Sequence, residues 1–123
     1  MATLTEQLDL MLTLQSNWDG YNADPIVPEV VEVAKEFVGV LHALLGRGGD
    51  EANMFVCPGR DGGVMVEWDD DGAEYEMDIN TDGSFGFLRE DKLTGVMTTE
   101  KFRAGRFAVP AALLRQFRSL AAA

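Results

Sequence analysis

The 123-residue sequence has one cysteine and one histidine, and these two scarcities remove several kinds of chemistry at once. Cys57 cannot form an internal disulfide. It sits in the apolar stretch MFVC, which predicts a buried, inert thiol, with a redox or interchain role as the alternative. His42 lies beside Leu41 in a segment of helical period. It lacks the second ligand a metal centre needs and any recognisable nucleophile to activate, so a surface or half-buried helix histidine is expected. No apolar run reaches the ~18 residues of a membrane span, and Met1 to Gln15 carries acid rather than base. Neither a span nor a signal peptide is indicated, and the expected compartment is the cytoplasm. Arg60-Asp61-Gly62-Gly63 is rich in glycine but joins apparent strands and has no Gly-Lys-Ser/Thr for cradling phosphate, so it reads as a turn. Together these absences argue against an enzyme and against a resident metal or cofactor.

Positive charge is also scarce. Ten Lys and Arg stand against 21 Asp and Glu, for a net charge of −11. Residues 1–49 hold seven acids and two bases, residues 50–100 fourteen and three, and residues 101–123 none and five. The middle is a concentrated anion, which disfavours direct binding of DNA or RNA through that segment by simple repulsion. The basic end, with Lys101, Arg103, Arg106, Arg115 and Arg118, has two readings: it meets a partner, or it meets the protein's own acidic surface.

What is present suffices for one core. With 46% apolar residues, 1–123 reads as a single α+β domain. Thr3-Leu4-Thr5-Glu6 fits a capping box, and Leu4, Leu8, Met11 and Leu12 recur at helical spacing, predicting a short amphipathic helix within 3–15. Pro28 suits the first turn of a second helix over 28–45, with Glu29 and Glu32 near its positive end. Its apolar stripe is Val30, Ala34, Phe37, Val38, Leu41, Leu44 and Leu45, and Gly46 supplies a stop. From about residue 53 the period changes to two. Asp71-Gly72 suits a two-residue turn that pairs Trp68 with Tyr75, Val66 with Met77, and Val64 with Ile79. A three-residue loop, Thr81-Asp82-Gly83 with Gly83 left-handed, pairs Ile79 with Phe85 and Met77 with Phe87 and keeps both phenylalanines on the dry face. Strands at 54–57 and near 95–102 complete a four- or five-stranded antiparallel sheet with one face covered by helices. Pro110 opens a C-terminal helix whose buried stripe is Leu113, Leu114, Phe117 and Leu120.

Asp78-Ile79-Asn80-Thr81-Asp82-Gly83-Ser84 begins like an EF-hand calcium loop, but its twelfth position, where a bidentate carboxylate belongs, is Arg89. A hairpin turn is expected instead. Asp69-Asp70-Asp71 reads as a solvated turn, because three consecutive side chains do not converge on one ion without a special loop. The register above opposes Glu67 to Glu76 and Asp69 to Glu74 on the face away from the core, where like charges destabilise the sheet. One reading is a solvated, solubility-giving face. The other is a surface that meets cations, with Glu67, Asp69, Asp70, Asp71, Glu74, Glu76 and Asp78 as partner-binding residues. Acids recurring every ~6.7 Å along a strand lie within reach of the spacing of successive phosphates, so a basic nucleic-acid-binding groove would accept this face as a nucleic-acid mimic. Paired carboxylates can also hydrolyse, but no aromatic cleft surrounds these, and catalysis is the weakest reading.

Residues 16–25, SNWDGYNADP, set Trp18 and Tyr21 in a polar loop between the two helices, with Gly20 permitting a tight turn. The loop reads as a structural pin, in which Asp19 bonds loop amides and Trp18 buries its ring. The alternative is a partner-binding hot spot built on Trp18, Asp19 and Tyr21.

Trp18-Asp19-Gly20-Tyr21-Asn22-Ala23-Asp24-Pro25, followed by Pro28-Glu29 and by Gly62-Gly63-Val64-Met65-Val66-Glu67-Trp68, resembles a group of short, mostly uncharacterised bacterial and phage proteins that share a W-D-G-Y-x-A-x-P loop. The similarity spans about residues 10–80. It carries no established activity. Its association with phage and mobile elements implies an anti-CRISPR-like inhibitor of a host defence complex, or an antitoxin. The expectation is a non-enzymatic, acidic protein-interaction domain that blocks a basic nucleic-acid-binding surface; the alternative is an antitoxin or other module that neutralises a dedicated partner.

Overall fold

A computed structural model of the chain describes residues 3–45, 54–70 and 72–103. Two helices, α1 (Leu4–Met11) and α2 (Pro28–Leu45), precede five strands: β1 (Met54–Pro58), β2 (Val64–Asp70), β3 (Ala73–Ile79), β4 (Ser84–Asp91) and β5 (Met97–Arg103). The strands form one antiparallel sheet in the order β1-β2-β3-β4-β5, each paired with its neighbour in sequence.

The local signals explain the elements. The Thr3 hydroxyl accepts from the Glu6 amide at 3.1 Å while the Glu6 carboxylate reaches back to the Thr3 amide, so two otherwise orphaned donors are satisfied where α1 begins. Leu4, Leu8 and Met11 are buried, and Lys35 of α2 pairs with Asp9 of α1. Leu12, expected in the buried stripe, lies past the last helical residue and is 43% exposed. The β2–β3 register opposes Trp68 to Tyr75, Val66 to Met77, and Val64 to Ile79. The β3–β4 register opposes Ile79 to Phe85 and Met77 to Phe87 across a loop in which Gly83 has φ +85°. Strand alternation then places Val66, Trp68, Tyr75, Met77, Ile79, Phe85 and Phe87 on one face, where they meet Val30, Ala34, Phe37 and Leu41 of α2 in a single core. Phe37 tilts against Trp68 with ring centroids 5.7 Å apart, and Trp68 stacks on Tyr75 at 5.2 Å.

The expected architecture with a C-terminal helix is corrected to two helices and a five-stranded antiparallel sheet among the described residues. The helix expected from Pro110 lies outside the described residues, and the helical cover of the inner face among the described residues comes from α1 and α2 alone. Among the described residues no helix is long and apolar enough to cross a membrane.

Candidate protein-interaction face

The outer face of the sheet, opposite the helices, is set by pairing and alternation. Its three rows cross the strands as Cys57–Met65–Asp78–Gly86–Lys101, Phe55–Glu67–Glu76–Leu88–Thr99, and Asp69–Glu74–Glu90–Met97. Five of the sequence-predicted partner residues, Glu67, Asp69, Glu74, Glu76 and Asp78, therefore share one face. Asp70 pairs with Ala73 at the end of the β2–β3 ladder, its side chain outside those described, and Asp71 lies outside the described residues. Glu90 was missed. Continuing the period of two through Phe85 and Phe87 puts it on the outer side, so the signal was there. Also missed were Phe55, Leu88 and Met97, which with the acids line a hollow of about 410 Å³. One base reaches these acids: Lys92 Nζ lies 3.2 Å from Asp69, brought there by the β4–β5 turn. Lys101 is exposed on β5 opposite Gly86; Arg103 pairs with Ser84 through its backbone, and Arg106, Arg115 and Arg118 lie outside the described residues.

Burial, with like-charge crowding added to it, changes the protonation of two of these acids. Burial, then the charges of Asp78 and Glu67, pushes the Glu76 carboxyl above its ordinary value. Burial, then Asp61 and Glu67, does the same to Asp78. A folded pKa raised above the unfolded one means that the native state holds the proton more tightly, so these two groups reduce stability as pH rises from the ordinary carboxylate range, near 4, through their raised values. Glu76→Gln is expected to flatten that part of the stability-versus-pH curve and to leave the protein at least as stable at neutral pH. Urea melts across the acidic range check it, and a curve identical to the wild type would refute the raised Glu76 carboxyl.

The aromatic loop forms a second polar cluster away from this face. Asp19 Oδ1 accepts from the amides of Tyr21 at 2.8 Å and Ala23 at 3.1 Å, and its Oδ2 accepts from Arg60 Nε at 2.8 Å. Burial alone would raise the Asp19 carboxyl, but these hydrogen bonds and the Arg60 charge outweigh it and hold it low. Arg60 also donates to the Tyr21 carbonyl, Asp24 N donates to Arg60 O at 2.7 Å, and Val27 N donates to Gly62 O at 3.0 Å. Residues 16–27 are thus bound to the β1–β2 turn, some 40 positions later in the chain. Trp18 packs part-buried against the core and donates from Nε1 to Asp24 O at 2.7 Å, whereas Tyr21 is 75% exposed.

The remaining candidates are simpler. Asp78–Ser84 runs from the end of β3 through the β3–β4 turn into β4, and in the turn Asp82 Oδ1 accepts from Ser84 N at 2.9 Å and from Ser84 Oγ at 2.6 Å. Millimolar calcium is expected to leave the thermal midpoint unchanged; a saturable rise in a calorimetric titration would contradict the turn. Cys57 is corrected from buried to half-buried: alternation along β1 sends Met54 and Val56 inward and Cys57 to the outer face. Burial raises its thiol pKa and the Glu67 charge adds to it, which disfavours a reactive thiolate. His42 lies on α2 with its side chain outside those described. Among the described residues no three of His, Cys, Asp and Glu are placed to hold a metal ion. Compared with protein-family models, curated proteins and solved structures, the chain finds no match.

Proposed function

We propose that the protein is a non-enzymatic interaction domain whose acidic outer sheet face occupies a basic surface of another protein. The specific target in this reading is the nucleic-acid-binding groove of a host defence complex, with a phage or mobile element as the inhibitor's source. The supporting observation is the adjacency of two acidic rows, Glu67–Glu76 and Asp69–Glu74–Glu90, on a face that no described element covers. Like charges directly opposed on neighbouring strands cost stability. Solubility alone is served as well by scattered charge, so concentrating it here has its return in binding. A groove shaped for closely spaced phosphates accepts closely spaced carboxylates by the same electrostatics.

The test is displacement of labelled DNA from candidate nucleic-acid-binding complexes, at several salt concentrations. The wild type is expected to compete, and Glu67→Gln with Glu76→Gln to associate more slowly and with a flatter salt dependence. Unchanged affinity and salt slope in the double variant would leave the charge as a solubility device. A second reading, an antitoxin or other module neutralising a dedicated partner, is favoured by Phe55 and Met97, each 58% exposed beside the acids. It expects binding that survives high salt.

A further inference from the structure

The carboxylates lie in a hollow with apolar ends. Phe55 on the edge strand β1 and Leu88 on β4 bracket Glu67 and Glu76 in one row, and Met97 ends the next row beyond Glu90. Exposed apolar residues scattered singly need no explanation, but exposed Phe55 and Met97 and half-buried Leu88 border the same concavity. A purely electrostatic mimic has no use for them.

We infer that the hollow takes a basic peptide segment of a partner protein, in which a cationic side chain lies between two apolar ones. This rests on the acidic-interface reading above and names its ligand. Neighbouring strands lie ~4.8 Å apart, so Phe55 and Leu88, three strands apart, are separated by roughly 14 Å. An extended segment shows alternate side chains on one face every ~6.7 Å. Apolar–x–Arg–x–apolar therefore spans the hollow with its guanidinium over Glu67 and Glu76, whose oxygens match the fork of donors that guanidinium offers. Phosphate-bearing ligands are repelled by the same acids.

The test titrates isotope-labelled full chain with two synthetic peptides of equal net charge, one containing Leu–x–Arg–x–Leu and the other Ser–x–Arg–x–Ser. Amide shifts are expected at Phe55, Glu67, Glu76 and Leu88, with the leucine peptide binding about tenfold tighter or more. Phe55→Ser, at an exposed edge position, is expected to erase most of that advantage while leaving the serine peptide's affinity in place. Equal affinities for the two peptides would discard the apolar bracket and leave the acidic interface standing; failure of both peptides to bind at low salt would count against the interface itself. Shifts at these residues that depend on protein concentration would assign the hollow to a second copy. Tighter peptide binding by full chain carrying Arg115→Glu and Arg118→Glu would assign it to the chain's own basic stretch. Either result would overturn the inference.

Discussion

An alanine at Gly63 is expected to cost the fold about 3 kcal/mol, the upper part of the range for overpacking, although it adds only one methyl group. That carbon would lie 2.6 Å from the carbonyl oxygen of Ile79, which is backbone and cannot rotate away. Ile79 is paired with Val64 on one side and Phe85 on the other, so relief of the clash disturbs three strands. Gly62 is constrained as well: its φ is +94° and an added Cβ would lie 2.9 Å from Pro25 O, where the aromatic loop crosses the β1–β2 turn. Gly20 is the control, since its φ is +78° but nothing lies within 4 Å of an added Cβ. Only the left-handed strain of ~1–2 kcal/mol is expected there. Urea denaturation of the two variants separates the cases, and a Gly63→Ala protein as stable as Gly20→Ala would show the close approach to be unimportant.

The contacts at Gly62 and Gly63 give a physical account of a pattern that the sequence shows only as two separate motifs. The W-D-G-Y-x-A-x-P stretch and the Gly-Gly before β2 are one structure, joined by the Arg60–Asp19 ion pair and by the bonds from Asp24 and Val27 to the β1–β2 turn. Sequence reading placed Arg60 in a turn and no further, because nothing local connects it to Asp19. The β2–β3–β4 hairpins were legible, since short glycine-bearing loops and a period of two leave one register that buries Val66, Met77 and Phe87 together. That register also made Glu67, Glu76, Asp69 and Glu74 legible as a face. The edges were not. β1 and β5 join through longer connections that do not dictate register, so Phe55 and Met97 were not placed beside the acids, Lys92 was not seen to reach Asp69, and Cys57 was put on the wrong side. The wet or dry side of a short edge strand turns on a one-residue shift.

Trp18→Ala is expected to lower stability by about 2–3 kcal/mol, below the ~3–5 kcal/mol of a fully buried aromatic, because the ring is only part-buried against the core. Two contributions add. Apolar area is lost, and the indole N–H no longer reaches Asp24 O, a carbonyl close to the point where the loop bonds to Arg60. Trp18→Phe separates them: it keeps most of the area, loses the N–H, and is expected to cost about 1 kcal/mol. Tyr21→Ala belongs in the same series because Tyr21 shares the loop but projects 75% exposed; a change within about 0.5 kcal/mol is expected. The pair therefore assigns the loop's two aromatics different roles, Trp18 as the fastening and Tyr21 as a side chain the fold does not need. Chemical denaturation reads the stabilities. A Trp18→Ala protein with wild-type stability would remove the fastening role and turn the whole loop, Trp18 with Tyr21, into a surface available to a partner.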